Sequence, residues 1–183
     1  WNNRPVQLEV TSDTTGENVF GDEYTSHSDL FYQYYSLAES PKHVLGQLKD
    51  VITLANWTEG TDAYGATYVT DTQTGFEIIN NRPFQKVVTA YTTGENLFGD
   101  TYITTSTTTY ENNGYKLDED GKPTAELEDP AKKLGAILST SGTSLTTGAD
   151  AWGASYTTAT QTVFYVWNNR PVQLEVTSDT TGE

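Results

Sequence analysis

The first 17 residues of this chain recur, letter for letter, at its end. Trp1–Glu17 and Trp167–Glu183 both read WNNRPVQLEVTSDTTGE, at an offset of 166 residues. Folding constraints hold some positions and release others, so identity throughout a segment marks recent tandem duplication. The sequence reads as one 166-residue unit followed by the opening of the next, within a longer repetitive parent. An older repeat lies inside. Asn2–Tyr24 aligns with Asn80–Tyr102 at 16 of 23 positions, and Thr58–Pro83 with Thr146–Pro171 at 16 of 26. The unit thus divides into residues 1–79 and 80–167, two modules with similar ends and different middles. Residues 168–183 are the first strand of the next copy.

A third level is shorter. The pattern Thr-x-Gly-x-(Asn/Asp)-x-aromatic-Gly-x-x-Tyr occurs around Gly16, Gly60, Gly94 and Gly148. Its aromatics are Phe20, Tyr64, Phe98 and Trp152, and its tyrosines Tyr24, Tyr68, Tyr102 and Tyr156. Thr-Thr-Gly-Glu-Asn is turn chemistry, because Gly supplies positive φ and Asn tolerates it. Each copy reads as a hairpin turn feeding a strand, with the aromatic and the tyrosine on one strand face. The strands expected before these turns are Val6–Thr11, Val51–Trp57, Phe84–Tyr91 and Thr143–Leu145. Threonine supplies 32 of 183 residues and tyrosine 12, both of which suit a pleated surface.

Asn-Asn-Arg-Pro occurs at Asn2–Pro5, at Asn80, Asn81, Arg82 and Pro83, and at Asn168, Asn169, Arg170 and Pro171. Proline opens strands or sits on edges, so these segments read as short, closely coupled joints between modules. Each middle carries one helix signal. Ser40-Pro41 opens His43–Leu54 and Asp129-Pro130 opens Ala131–Leu138, with an N-cap residue followed by Pro at the first helical position. Asn112-Asn113-Gly114 and Asp118–Pro123 read as turns, the first as a two-residue hairpin. The expected fold is mainly β: two tandem β-sandwich-like modules, each with one short helix inserted in its middle.

Chemistry is sparse. There is no cysteine, hence no disulfide, thiol nucleophile or cysteine metal site. His27 aligns with Thr105 of the second module, and neither His27 nor His43 has a nucleophile and acid singled out beside it. No enzymatic activity is expected. Twenty-five acidic against 10 basic residues give a net charge of -15, which repels nucleic acid and anionic membranes. No run of 18 apolar residues is present, so no membrane span is expected. No charged-then-apolar leader is present either, as expected of a mature chain or of one cut from something longer.

The turn oxygens are the candidate metal ligands. Glu17, Asn18 and Asp22 recur as Glu95, Asn96 and Asp100, with Asp62 and Asp150 at the Asn position of the other two copies. Oxygen-only ligands suit calcium. The same residues also suit a turn in which Asn and Asp bond their own backbone. Tyr32, Tyr34, Tyr35, Trp57, Tyr64 and Trp152 are candidates for stacking on sugars, or else packing residues.

The 17-residue identity and the Asn-Asn-Arg-Pro-flanked modules make the chain similar to the tandem-repeat region of giant bacterial extracellular proteins: adhesins, surface-layer proteins and fibres. The resemblance implies an extracellular or cell-surface setting and calcium rigidification. It implies a structural module of a long fibre or adhesin stalk, whose partners are neighbouring copies. The alternatives are a carbohydrate-binding adhesive module that takes surface glycans, and a self-assembling filament subunit exchanging strands between copies. The segment Pro171–Thr177, with Val172, Leu174 and Val176 on one face, is expected to pair with the preceding module, a neighbouring copy or both.

Overall fold

The computed structural model describes residues 6–36, 46–119 and 123–182. Its strands are β1 (Glu9–Glu17), β2 (Glu23–Tyr34), β3 (Leu48–Thr61), β4 (Thr67–Ile79), β5 (Arg82–Glu95), β6 (Thr101–Asn112), β7 (Tyr115–Leu117), β8 (Pro123–Leu127), β9 (Ile137–Ala149), β10 (Ser155–Trp167) and β11 (Arg170–Gly182). Nine form one antiparallel sheet in the order β1-β2-β3-β4-β5-β6-β9-β10-β11, and β7 with β8 forms a separate hairpin. The mainly β character follows from the Thr- and Tyr-rich strands. The two modules, expected as separate sandwich-like units, share this one sheet.

Because successive strands of the sheet pair antiparallel, with β9 following β6 across the separate β7–β8 hairpin, the connections alternate between two ends. The upper end carries Asn18–Asp22, Asp62–Ala66, Asn96–Asp100 and Asp150–Ala154. The lower end carries two-residue turns at Asn80-Asn81 and Asn168-Asn169. Both lower turns have positive φ at both residues, 49° and 62° in the first and 47° and 62° in the second. A two-residue hairpin twisted like its strands demands that geometry, and Asn tolerates it. Ile79 pairs with Arg82 and Trp167 with Arg170. The Asn-Asn-Arg-Pro segments at Asn80–Pro83 and Asn168–Pro171 are thus hairpin turns inside the sheet, and Asn2–Pro5 lies outside the described residues.

The upper half is thin. The chain exposes 12430 Å², against about 8,800 Å² for a compact protein of this mass. Burial concentrates below, where among the described residues Leu48 and Val51 are the buried apolar ones and Thr53, Asn112, Asn113 and Thr140 the buried polar ones. There the strands separate into two-stranded ribbons. β3 pairs with β4 only over Trp57–Thr61, and Thr53 Oγ1 fills the opening below by donating to Thr74 O at 3.1 Å. β5 pairs with β6 only over Val87–Glu95, and Asn112 Nδ2 reaches across to Gln85 O and Glu77 Oε1.

No helix occurs among the described residues, which corrects both expected insertions. Of His43–Leu54, residues 43–45 lie outside the described residues and Leu48–Leu54 belong to β3. The apolar positions that resembled a helical face instead put Leu48 and Val51 into the lower core. Ala131–Leu138 is a chain of turns ending in β9. Asn113, fully buried, explains why. Its Nδ2 donates to Asp129 O, Lys132 O and Lys133 O at 2.9, 3.0 and 3.2 Å, taking carbonyls that a helix would bond internally. Its Oδ1 accepts from Asp129 N, and Gly135 leaves the helical region at φ 76°. Asn113-Gly114 is therefore a buried clip and not a hairpin turn. β7 and β8 do flank the expected Asp118–Pro123 turn, of which residues 120–122 lie outside the described residues.

Candidate assembly interface

Register across the sheet sorts its residues into rows. One row reads Gly16, Tyr24, Gly60, Tyr68, Gly94, Tyr102, Gly148, Tyr156, Gly182, alternating from edge to edge. Each tyrosine ring lies over the glycine of the preceding strand. A Cβ at Gly16 would stand 2.5 Å from the Tyr24 ring, and one at Gly60 2.7 Å from Tyr68. Gly94 under Tyr102 and Gly148 under Tyr156 leave no more room. These glycines are strand residues, and the expected turn lies two residues further on. They are small so that a ring can cover the backbone.

The next row on the same face is Thr14, Ser26, Thr58, Thr70, Thr92, Thr104, Thr146, Thr158, Thr180. Its hydroxyls pair across strands: Thr70 with Thr92 at 2.8 Å, Thr104 with Thr146 at 2.8 Å and Thr158 with Thr180 at 2.9 Å. Cross-strand hydroxyl pairs of this kind stabilise a sheet by roughly 0.2–1 kcal/mol each.

The upper turns use the candidate metal ligands. Asn18 Oδ1 accepts from Phe20 N at 2.7 Å and Asp22 N at 3.2 Å. Asn96 serves Phe98 N and Asp100 N in the same way. Asp62 Oδ1 accepts from Tyr64 N and Ala66 N, and Asp150 Oδ1 from Trp152 N and Ala154 N. Asp22 Oδ1 accepts from Ala63 N and Asp100 Oδ1 from Ala151 N, both at 3.0 Å, so each of these carboxylates ties its turn to the next. Glu17 and Glu95 end β1 and β5. Among the described residues no three His, Asp or Glu side chains gather as a metal group would require.

Phe20, Tyr64, Phe98 and Trp152 are turn tips, not strand residues, and are 79, 78, 74 and 88% exposed. Adjacent tips approach through their glycines: a Cβ at Gly21 would stand 3.7 Å from Ala63, one at Gly65 3.9 Å from Leu97 and one at Gly99 3.8 Å from Ala151. The other expected stacking residues lie elsewhere. Trp57 on β3 stacks on His27 at 5.8 Å between centroids, and His27 Nδ1 meets Asp13 Oδ1 at 2.6 Å. Tyr34, low on β2, donates to Gln7 O at 2.8 Å. Burial, then Tyr32, raises its pKa. His43 lies outside the described residues.

The edges carry the repeat. β1 pairs with β2 and β11 with β10, and among the described residues neither has a second neighbour. Gly16 stands opposite Tyr24, and its copy Gly182 opposite Tyr156. The Tyr156 ring covers Gly148, and the atoms nearest to a Cβ at Gly182 would be Ser155 O and the Tyr156 Cβ and Cα, with no ring atom among them. Val172, Leu174 and Val176 of β11 are 49, 70 and 44% exposed. Among the described residues no helix is long and apolar enough to cross a membrane. No protein-family model, curated protein or solved structure matches the chain.

Proposed function

We propose that the chain is a structural repeat unit of a long extracellular or cell-surface fibre, and that its sheet runs unbroken from one copy into the next. One observation supports this above all: the two edge strands have one sequence, and each is in register with its own inner neighbour. Overlaying them lines up Tyr156, Gly182 and the next copy's Tyr24. Tyr68, Gly94 and Tyr102 already make that arrangement inside the sheet. Thr180 comes to stand between Thr158 and the next copy's Ser26. The ring of Tyr24 then covers Gly182 as it covers Gly16 here.

The mechanism is mechanical. Eight strands per unit extend the fibre by about 38 Å at about 4.8 Å per strand. Backbone hydrogen bonds cross every seam, so the fibre has no flexible joint. The excess of acidic groups keeps thin sheets from stacking face to face. The same edge identity favours a second reading, in which β11 of one chain replaces β1 on the β2 of another and builds a filament from separate chains. Small-angle scattering from chains of one, two and three units tests the first. A maximal dimension growing by about 38 Å per unit at constant cross-section supports it. Separate bodies joined by a tether contradict it. Growth of the single unit with concentration across the strands, by about 38 Å per added chain, identifies strand exchange.

A further inference from the structure

The ends of the sheet differ in charge. No Lys or Arg stands between Lys49 and Arg82, between Lys86 and Lys116, or between Lys133 and Arg170. Those spans contain the three upper turns from Asp62 to Ala154. The turns at Asn96–Asp100 and Asp150–Ala154 carry Glu95, Asp100 and Asp150 beside the exposed Phe98 and Trp152. The lower ends of the same strands frame a cavity of about 450 Å³ between the β4–β5 and β10–β11 ribbons. Phe84, Leu134, Ile137 and Val166 give it apolar walls, and Arg82, Lys132 and Lys133 its rim, with no acidic residue in its lining. Lys132 Nζ donates to Ile137 O at 3.3 Å. Among the described residues neither Arg82 nor Lys133 makes an ion pair.

We infer that this cavity receives the acidic, aromatic upper turns of a second copy, with the indole of Trp152 entering it and Phe98 beside it. Copies of the same polarity thereby stack end to end along the strands. Three facts select a second copy as the occupant. The tips are large apolar groups in water, which aromatic side chains leave with a large gain when a pocket is offered. Three carboxylates surround the tips and three cations surround the pocket, so the charges are complementary. The sheet order places tip and pocket on opposite ends of the same strands, β5, β6, β9 and β10, so translation along the strands brings one to the other. The two ends are about 40 Å apart for a strand of this length. That is several Debye lengths, so the net charge of the whole chain does not decide the contact. Lateral continuation and this contact are independent, and together they make a two-dimensional layer.

The absence of cysteine makes the test clean. The single variants Trp152→Cys and Lys133→Cys are mixed under mild oxidation, with Gln161→Cys as a face control. A Trp152–Lys133 heterodimer in several-fold excess over all other disulfides is expected. Phe98→Cys with Lys133→Cys is the second pair should Trp152→Cys fold poorly. Sedimentation of the full 183-residue chain should show association weakened at least tenfold by Trp152→Ala or by Lys132→Glu with Lys133→Glu. Association should fall about tenfold again as salt rises from low to molar. Homodimers of Trp152→Cys as the main product, or heterodimers no more abundant than with Gln161→Cys, would overturn the contact. Neither outcome touches the seam between β11 and the next β2, which is read from amide exchange.

Discussion

Substituting Gly94 by Ala places a methyl group inside the Tyr102 ring, and this single atom tests the row that organises the upper sheet. The ring cannot stay where it is. Moving it off the backbone costs about 1–3 kcal/mol, the usual penalty of overpacking. A chain of this size loses about 2–4 °C in melting temperature per kcal/mol, so a drop of between about 2 and 12 °C follows. The partner experiment reverses the sign. With Tyr102→Ala in place the collision is gone, and Gly94→Ala then removes backbone freedom from the unfolded strand, a gain of roughly 0.5–1 kcal/mol. The double-mutant cycle therefore gives a coupling of about 1.5–4 kcal/mol between two residues on adjacent strands. Urea unfolding of the four proteins, followed by tryptophan fluorescence and far-ultraviolet dichroism, measures it if the m-values agree. Equal effects of Gly94→Ala in both backgrounds would refute the reasoning, since the tyrosine ring would then not be what requires glycine.

Asp150→Ala removes an acceptor from two backbone N–H groups and should cost about 1–2 kcal/mol, whereas Asp150→Asn should cost little. Asn18 and Asn96 already do that work in the alternate turns. Turn oxygens committed to backbone N–H groups lead to coincident melts in calcium and in chelator. A rise of several degrees with calcium would make the turns ion sites. Asn80→Ala should destabilise by roughly 1 kcal/mol and Asn80→Gly hardly at all, because the position has positive φ. The Tyr34 phenol has a raised pKa, so the folded chain keeps a proton that the unfolded chain gives up near pH 10. Its contribution is present below that pH and lost as pH rises through the folded value. Tyr34→Phe should be less stable by about 1 kcal/mol at neutral pH, from the lost bond to Gln7, and should show a shallower alkaline decline.

The repeats were the legible part. Gly16, Gly60, Gly94 and Gly148 each precede a tyrosine by eight residues, and this fixed spacing is the signature of a hairpin that brings the two opposite each other. Reading the glycines as turn residues missed it, because a glycine under an aromatic ring and a glycine at positive φ look alike in sequence. The turn glycines are Gly21, Gly65, Gly99 and Gly153. The Asn-Asn-Arg-Pro segments at Asn80–Pro83 and Asn168–Pro171 are legible as strand starts, but a strand start looks the same whether a module joint or a hairpin turn precedes it. The helix signals failed for a tertiary reason. Asp129 does cap a turn, its Oδ1 accepting from Ala131 N, but the buried Asn113, distant in sequence, claims the carbonyls that would have continued it. Nothing local could show that. That the acidic tips share one rim is a property of the strand order, which no single segment carries.

Amide hydrogen exchange along β11 tests the seam most directly. An edge strand of an antiparallel sheet bonds alternate amides inward and leaves the others to water. In the 183-residue chain, alternate amides of Glu175–Thr181, beyond the register shift at Leu174, should therefore exchange slowly and the rest at nearly unprotected rates. In a chain of two full units every amide of the same stretch should be protected, to the level of β4 and β5. Protection that stays alternating in the two-unit chain would contradict a sheet running on into the next copy.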